Sequence, residues 1–200
     1  MAAAGGPGIP GIGGMMGCAE PSPSAWADGL STADKYEWLC NCYQMRCDDD
    51  YSWGGGYLHG PYDPEATARS LGDDFLAFCF LANRAGVIPA SGWSWSSFFA
   101  VAPKHIVFAF EKSDAKERWG GENAFQAMMG GRSLRYTGEQ IYKTRVDVPG
   151  QGEEHQELEE QLEEAGGGEK RKELQDLVGG SELWAKLLAD LEGALARRYG

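Results

Sequence analysis

DPEATARSLGDDFLAFCFLANRAGVIP, residues 63–89, decides the fold class. Ala68, Leu71, Phe75, Phe78, Leu81, Ala82 and Ala85 recur at spacings of three and four, which is the period of one buried helix face. Asp63 is the expected N-cap, with Pro64 at the first helical position, where its missing N–H costs nothing. Gly86 suits the C′ position and Pro89 closes the exit. A run this apolar predicts the central core helix.

Upstream, Ser31 followed three residues later by Asp34 predicts a capped helix from Ala33 to about Cys47. Its buried face carries Tyr36, Leu39, Cys40, Tyr43 and Cys47, and Gly54-Gly55-Gly56 forces a loop after it. Downstream, Ser94 caps a helix from Trp95, and Pro103 starts another carrying Ile106, Val107 and Phe110. A short strand over Val107–Phe110 is the alternative there. Short helices are expected around Glu122–Met129 and Gly138–Lys143, and Pro149-Gly150 reads as a boundary. Beyond it come acidic helical patterns at Glu153–Glu164 and Glu169–Val178. Ser181 then caps an amphipathic helix bearing Leu183, Trp184, Leu187, Leu188, Leu191 and Leu195, a stripe that must dock on this domain or, coiled-coil fashion, on another chain.

The expectation is therefore a mainly α protein. A single compact helical domain spans residues 26–149, behind a flexible Gly/Pro-rich tail (1–25). An acidic helical linker (150–180) and the amphipathic helix (181–200) follow.

The formal net charge is −12. Residues 151–200 hold 6 of the 18 Lys+Arg and 13 of the 30 Asp+Glu, which puts −7 there and −5 on the rest. Such a surface repels phosphate backbones and anionic lipid, so neither nucleic acid nor membrane is an expected partner. No apolar run approaches the ~20 residues of a spanning helix, and the Gly/Pro-rich start lacks a secretory pattern. Five cysteines are an odd count for a disulfide framework and predict reduced thiols in the cytoplasm or nucleus.

Cys40 and Cys42 point apart on a helix, and Cys40 and Cys47 stand ~10 Å apart along it. They read as buried structural thiols, which His59 or Cys79 would turn into a metal site only through tertiary packing. Asp48-Asp49-Asp50, at the expected end of that helix, oppose the macrodipole and call for compensation by an internal Arg or a hard cation. His59, Asp63, Asp73 and Asp74 are within plausible reach of this acidic cluster. Gly130-Gly131-Arg132-Ser133-Leu134-Arg135 is the one anion-binding candidate, with glycine amides, a hydroxyl and two guanidinium groups. It matches no phosphate-loop pattern, and no nucleophile motif is present. No cofactor is indicated.

Two segments carry a resemblance. Tyr-Glu-Trp-Leu at 36–39 with Tyr-x-Met-Arg-x-Asp-Asp-Asp-Tyr-x-Trp-Gly-Gly-Gly at 43–56 is one. Ala-Phe-Glu-Lys-Ser-Asp-Ala at 109–115, with Gly121-Glu122-Asn123 and Gly130–Arg135, is the other. This region, about Tyr36–Arg145, is similar to one in fungal and algal proteins labelled MYND-type zinc-finger proteins. The ordered Cys/His series of that finger is absent here, so the resemblance implies no zinc ligands and favours a protein-contact role. The sequence reading is accordingly an interaction or adaptor module, partnering or self-associating through Leu183–Leu195. Its alternative is a small-molecule or anion-binding domain, with or without enzymatic activity, built on Asp48–Asp50 and Gly130–Arg135.

Overall fold

A computed structural model describes residues 22–53, 56–120, 132–143, 153–164 and 167–199. The expected tail through residue 21, the helix at Glu122–Met129, Gly130-Gly131 and the boundary at Pro149-Gly150 lie outside them. The chain is mainly α-helical, and no strand occurs among the described residues. The helices are α1 (Thr32–Trp53), α2 (Ala68–Arg84), α3 (Trp95–Val101), α4 (Pro103–Ile106), α5 (Lys112–Trp119), α6 (Leu134–Tyr142), α7 (Glu153–Glu163), α8 (Gly167–Leu177) and α9 (Ser181–Tyr199). Short 3-10 turns at Ala25–Ala27 and Gly60–Tyr62 precede α1 and α2.

Helix α2 is the axis, packed against by α6, α7, α8 and α9. Leu71, Phe75, Phe78, Leu81 and Ala82 are buried, as the period requires. Its start differs from expectation. Thr67 caps it, accepting from the Ser70 N–H at 3.1 Å, while Ser70 Oγ accepts from the Thr67 N–H at 2.9 Å. Asp63 instead takes the Glu65 N–H at 2.9 Å and builds a separate turn. A reciprocal pair satisfies two orphan donors at once and so prevails over a single cap. At the other end Gly86 adopts φ +70°, the left-handed conformation expected there.

Helix α1 begins as expected, with the Asp34 N–H on Ser31 Oγ at 3.2 Å. It runs six residues past Cys47, so the three aspartates sit inside it rather than at its end. Residues 107–111, where a strand was the alternative, form irregular chain after α4.

The segment expected as a linker contributes to the core. Leu158 and Leu162 of α7, Leu174 of α8 and Val178 after it are buried with the α2 residues. Four apolar side chains at helical spacing bury more favourably than they solvate, whatever the surrounding Glu content. The α9 stripe docks on the same core: Trp184, Leu187, Leu191 and Leu195 are buried, with Leu183 and Leu188 partly so. Gly72 admits this close approach, since a Cβ there would stand 2.4 Å from Leu188 Cδ2. No described helix is long and apolar enough to cross a membrane.

Candidate metal centre

A charged cluster lies inside this apolar frame. Asp74, on the buried stripe of α2 between Leu71 and Phe78, is its centre, and its side chain is 4 % exposed. Its Oδ2 accepts the Tyr43 hydroxyl at 2.5 Å, and both its oxygens lie 3.2 Å from His59 Nδ1. Its Oδ1 lies 3.2 Å from His155 Nε2. The outer nitrogen of each ring meets a second carboxylate: His59 Nε2 is 3.2 Å from Asp50 Oδ2, and His155 Nδ1 is 3.3 Å from Glu159 Oε2. Arg46 holds Asp50 at 2.8 Å, and the Tyr57 hydroxyl donates to Glu159 at 3.2 Å. Cys47 Sγ stands 3.9 Å from His59 Nδ1.

Each element delivers its share by helical spacing. Tyr43, Cys47 and Asp50 are successive turns of one face of α1, and His155 and Glu159 are four apart on α7. His59 comes from the chain between α1 and α2, pinned by Gly60 at φ +55°. A Cβ on Gly60 would stand 2.5 Å from the Tyr43 hydroxyl, 2.8 Å from Asp74 Oδ2 and 2.9 Å from Cys47 Sγ. Only a residue without a side chain lets the backbone close over the cluster.

Three carboxylates, Asp50, Asp74 and Glu159, face one guanidinium here, so the cluster is short of positive charge. Without a cation the histidines supply it. Burial alone would lower His59, but Cys47, Asp74 and Asp50 around it raise it well above the ordinary imidazole value. Burial likewise opposes protonation of His155, and its contacts with Asp74 and Glu159 prevail and raise it. Burial would raise Asp74, yet the two imidazoles hold it far below the usual carboxylate range. Burial pushes the Cys47 thiol up to about 11. Protonation of both imidazoles would do the neutralising that one divalent ion would do.

Two groups of three ligands come close enough to share an ion. One ligand atom from each of Cys47, His59 and Asp74 lies within 4.8 Å of the others, as does one from each of Asp74, His155 and Glu159. Around a tetrahedral zinc, nitrogen and oxygen ligands stand ~3.4 Å apart and nitrogen and sulfur ~3.6 Å. The observed separations of 3.2 Å and 3.9 Å fit that geometry. The surroundings fit as well. Ligating imidazoles characteristically give their second nitrogen to a carboxylate, as His59 does to Asp50, which Arg46 then fixes.

The expected site residues divide. His59 and Asp50 enter the cluster. Asp49 is drawn away into a two-pronged pair with Arg135, at 2.9 and 2.8 Å, and Asp48 accepts from Tyr62 at 2.8 Å. Asp63 caps its own turn. The expected anion loop is engaged within the fold: Arg135 binds Asp49, and Arg132 donates to the Trp26 and Asp28 carbonyls. Ser133 Oγ caps α6 by accepting from the Tyr136 N–H at 3.2 Å. Leu183–Leu195, the expected interface, faces inward. The four described cysteines are buried and form no disulfide among the described residues.

Asp74 was expected only as a neighbour of the acidic run, and His155 and Glu159 were absent from the expected site. Their signal was available: an aspartate inside an apolar stripe, and a His-x-x-x-Glu pair one turn apart in a Glu-rich helix.

The larger surface cavity, about 910 Å³, opens elsewhere, between α1, α4 and α5. Its charged lining, Glu37, Lys104, Arg118 and Arg198 among it, is mixed in sign and, among the described residues, brings together no ligand group of the kind found around Asp74. A smaller one of about 280 Å³ borders Asp74 and Glu159 directly. No family model, curated protein or solved structure matches this chain, so its chemistry is read from the cluster itself.

Proposed function

We propose that this is a metal-binding domain that takes a borderline divalent cation, zinc in the first instance, on Cys47, His59 and Asp74. The carrying observation is a thiol, an imidazole and a carboxylate at coordination spacing, with Asp50 and Tyr43 behind them. A mixed sulfur, nitrogen and oxygen set suits Zn²⁺ or Co²⁺ better than Mg²⁺ or Ca²⁺, which take oxygen alone. On binding, the ion displaces the Cys47 proton and the His59 Nδ1 proton, since a thiolate and a neutral imidazole are the ligands. A hard cation was one of two compensations weighed for Asp48–Asp50, the other being an internal Arg; the ion proposed here is a borderline one, on Cys47, His59 and Asp74.

Cobalt titration of the dialysed chain tests it. A thiolate-to-cobalt charge-transfer band should appear, vanish in Cys47→Ser, and be chased by zinc. A chain that stays folded yet gives no such band would sink the proposal.

A second reading, the interaction module, draws on Tyr51, Trp53, Tyr57 and Leu58, each exposed at the end of α1 or soon after it in the chain. Self-association in sedimentation that Trp53→Ser abolishes would favour it. A monomer at every concentration counts against it.

A further inference from the structure

We infer that Asp74 bridges two ions, the second one held by Asp74, His155 and Glu159. This rests on the first site, because the bridge needs an ion on the His59 side of Asp74. The two groups of ligands share one residue, and that residue is a carboxylate with an oxygen for each side. Asp74 Oδ2 takes the Tyr43 hydroxyl, Oδ1 lies 3.2 Å from His155, and both oxygens are within 3.2 Å of His59 Nδ1. A bridging carboxylate of this kind sets two ions ~3.5–4 Å apart. The imidazoles flank Asp74 with ring centres 5.8 Å apart, which leaves one ion for each ring.

The two positions differ in access. Cys47, His59 and Asp74 are buried. Glu159 is partly exposed, and with Asp74 it borders the cavity of about 280 Å³. Glu163, Thr67 and Ser70 line the same cavity, and its two guanidinium groups, Arg69 and Arg171, are both turned onto Asp73. A hydrated cation therefore meets carboxylate and hydroxyl oxygens on its way to Asp74. Three protein ligands with a water on the cavity side make the second position an open site, and its imidazole-plus-carboxylate set takes Mn²⁺, Fe²⁺ or Zn²⁺.

Equilibrium dialysis of the full chain against Zn²⁺, with bound metal counted by elemental analysis, decides it when paired with the cobalt band. The expected result is two ions in the wild-type chain. Glu159→Gln, at a partly exposed position compatible with a folded chain, should hold one ion and keep the thiolate-to-cobalt band. His155→Gln should do the same. One ion in the wild-type chain with the band present overturns the second site and leaves the first standing. An unchanged two-ion count in both variants also overturns it. No ion and no band overturns both sites together.

Discussion

Against α9, helix α2 presents Gly72 and Phe75; against α7 and the Gly60 turn it presents Asp74. The α9 side is held by shape. The Trp184 ring stands 4.5 Å from Phe99 and 6.3 Å from Phe75, centre to centre, and its one polar atom gives its proton to the Val178 carbonyl at 2.9 Å. These contacts involve no titrating group and require only that their volume be filled. The Asp74 side is held by charge. Every polar atom there needs a partner in the right protonation state, and Tyr43, His59 and His155 must all be in place at once. An apolar interface tolerates small errors at modest cost, whereas a buried ionic one is costly when a single member is removed. The first kind of interface suits a scaffold. The second is an expensive way to hold two helices together, and it becomes intelligible if the cluster has a ligand.

Asp74→Ala should produce the largest effect of any substitution on either side. It strands two buried imidazoles and a buried phenol, at a cost of about 3–5 kcal/mol. The cost should depend on pH, and the sign follows from the shifts. The histidines sit above their ordinary 6.5, so their stabilisation is complete below that pH and is lost as pH rises through their folded values. Asp74 sits below 3.8, so its share is complete above that pH and is lost in stronger acid. Urea unfolding of the metal-free chain should therefore show the largest gap between wild type and variant at pH 4–6.5, narrowing on the alkaline side. A gap that does not change between pH 5 and pH 9 would show that Asp74 acts through volume rather than charge.

The two sides also differed in how far the sequence disclosed them. The apolar one was visible as periodicity. The stripe in residues 63–89 identified α2, and Leu183–Leu195 identified α9, because an i, i+3, i+4 pattern is a local property. The destination of that second stripe was not visible, since docking at home and docking on another chain demand the same pattern. The polar side was legible only in fragments. Asp50 and His59 stood out, but nothing local separated Asp74 from the adjacent Asp73, which is partly buried and takes Arg69 and Arg171. His155 was hidden among glutamates that read as solvated. Ninety-six residues separate His59 from His155, and nothing local records that the two rings flank one carboxylate. Sequence shows which residues are buried together along a helix, and tertiary folding decides which of them share a proton or an ion.

Gly60→Ala comes next in size, and it probes the same side without touching a charge. The added methyl meets the Tyr43 hydroxyl, Asp74 and Cys47 at 2.5–2.9 Å, and the backbone there is left-handed. Overpacking and the conformational cost together amount to about 2–4 kcal/mol. The separation of Cys47 from Asp74 should widen with it. Cobalt titration of this variant should show weaker binding by tenfold or more at a pH where the protein is still folded. Unchanged cobalt affinity would mean that the turn closes over the cluster without setting its geometry.

Trp184→Phe should be the mildest of the three, and it tests the apolar side alone. The change removes part of a ring that is 1 % exposed and deletes the donor to Val178. The smaller ring leaves a partial cavity and the carbonyl loses a partner, for a combined cost of about 1–3 kcal/mol. Because neither group titrates, that cost should be the same at pH 5 and pH 8, and metal binding should be untouched. The contrast with Asp74→Ala is then the measurement that matters: one interface whose stability ignores pH and metal, beside another whose stability follows both. If Trp184→Phe instead weakened cobalt binding, the α9 side would be transmitting to the cluster through Phe75, the neighbour of Asp74 on α2. The two sides would then have to be treated as one cooperative unit.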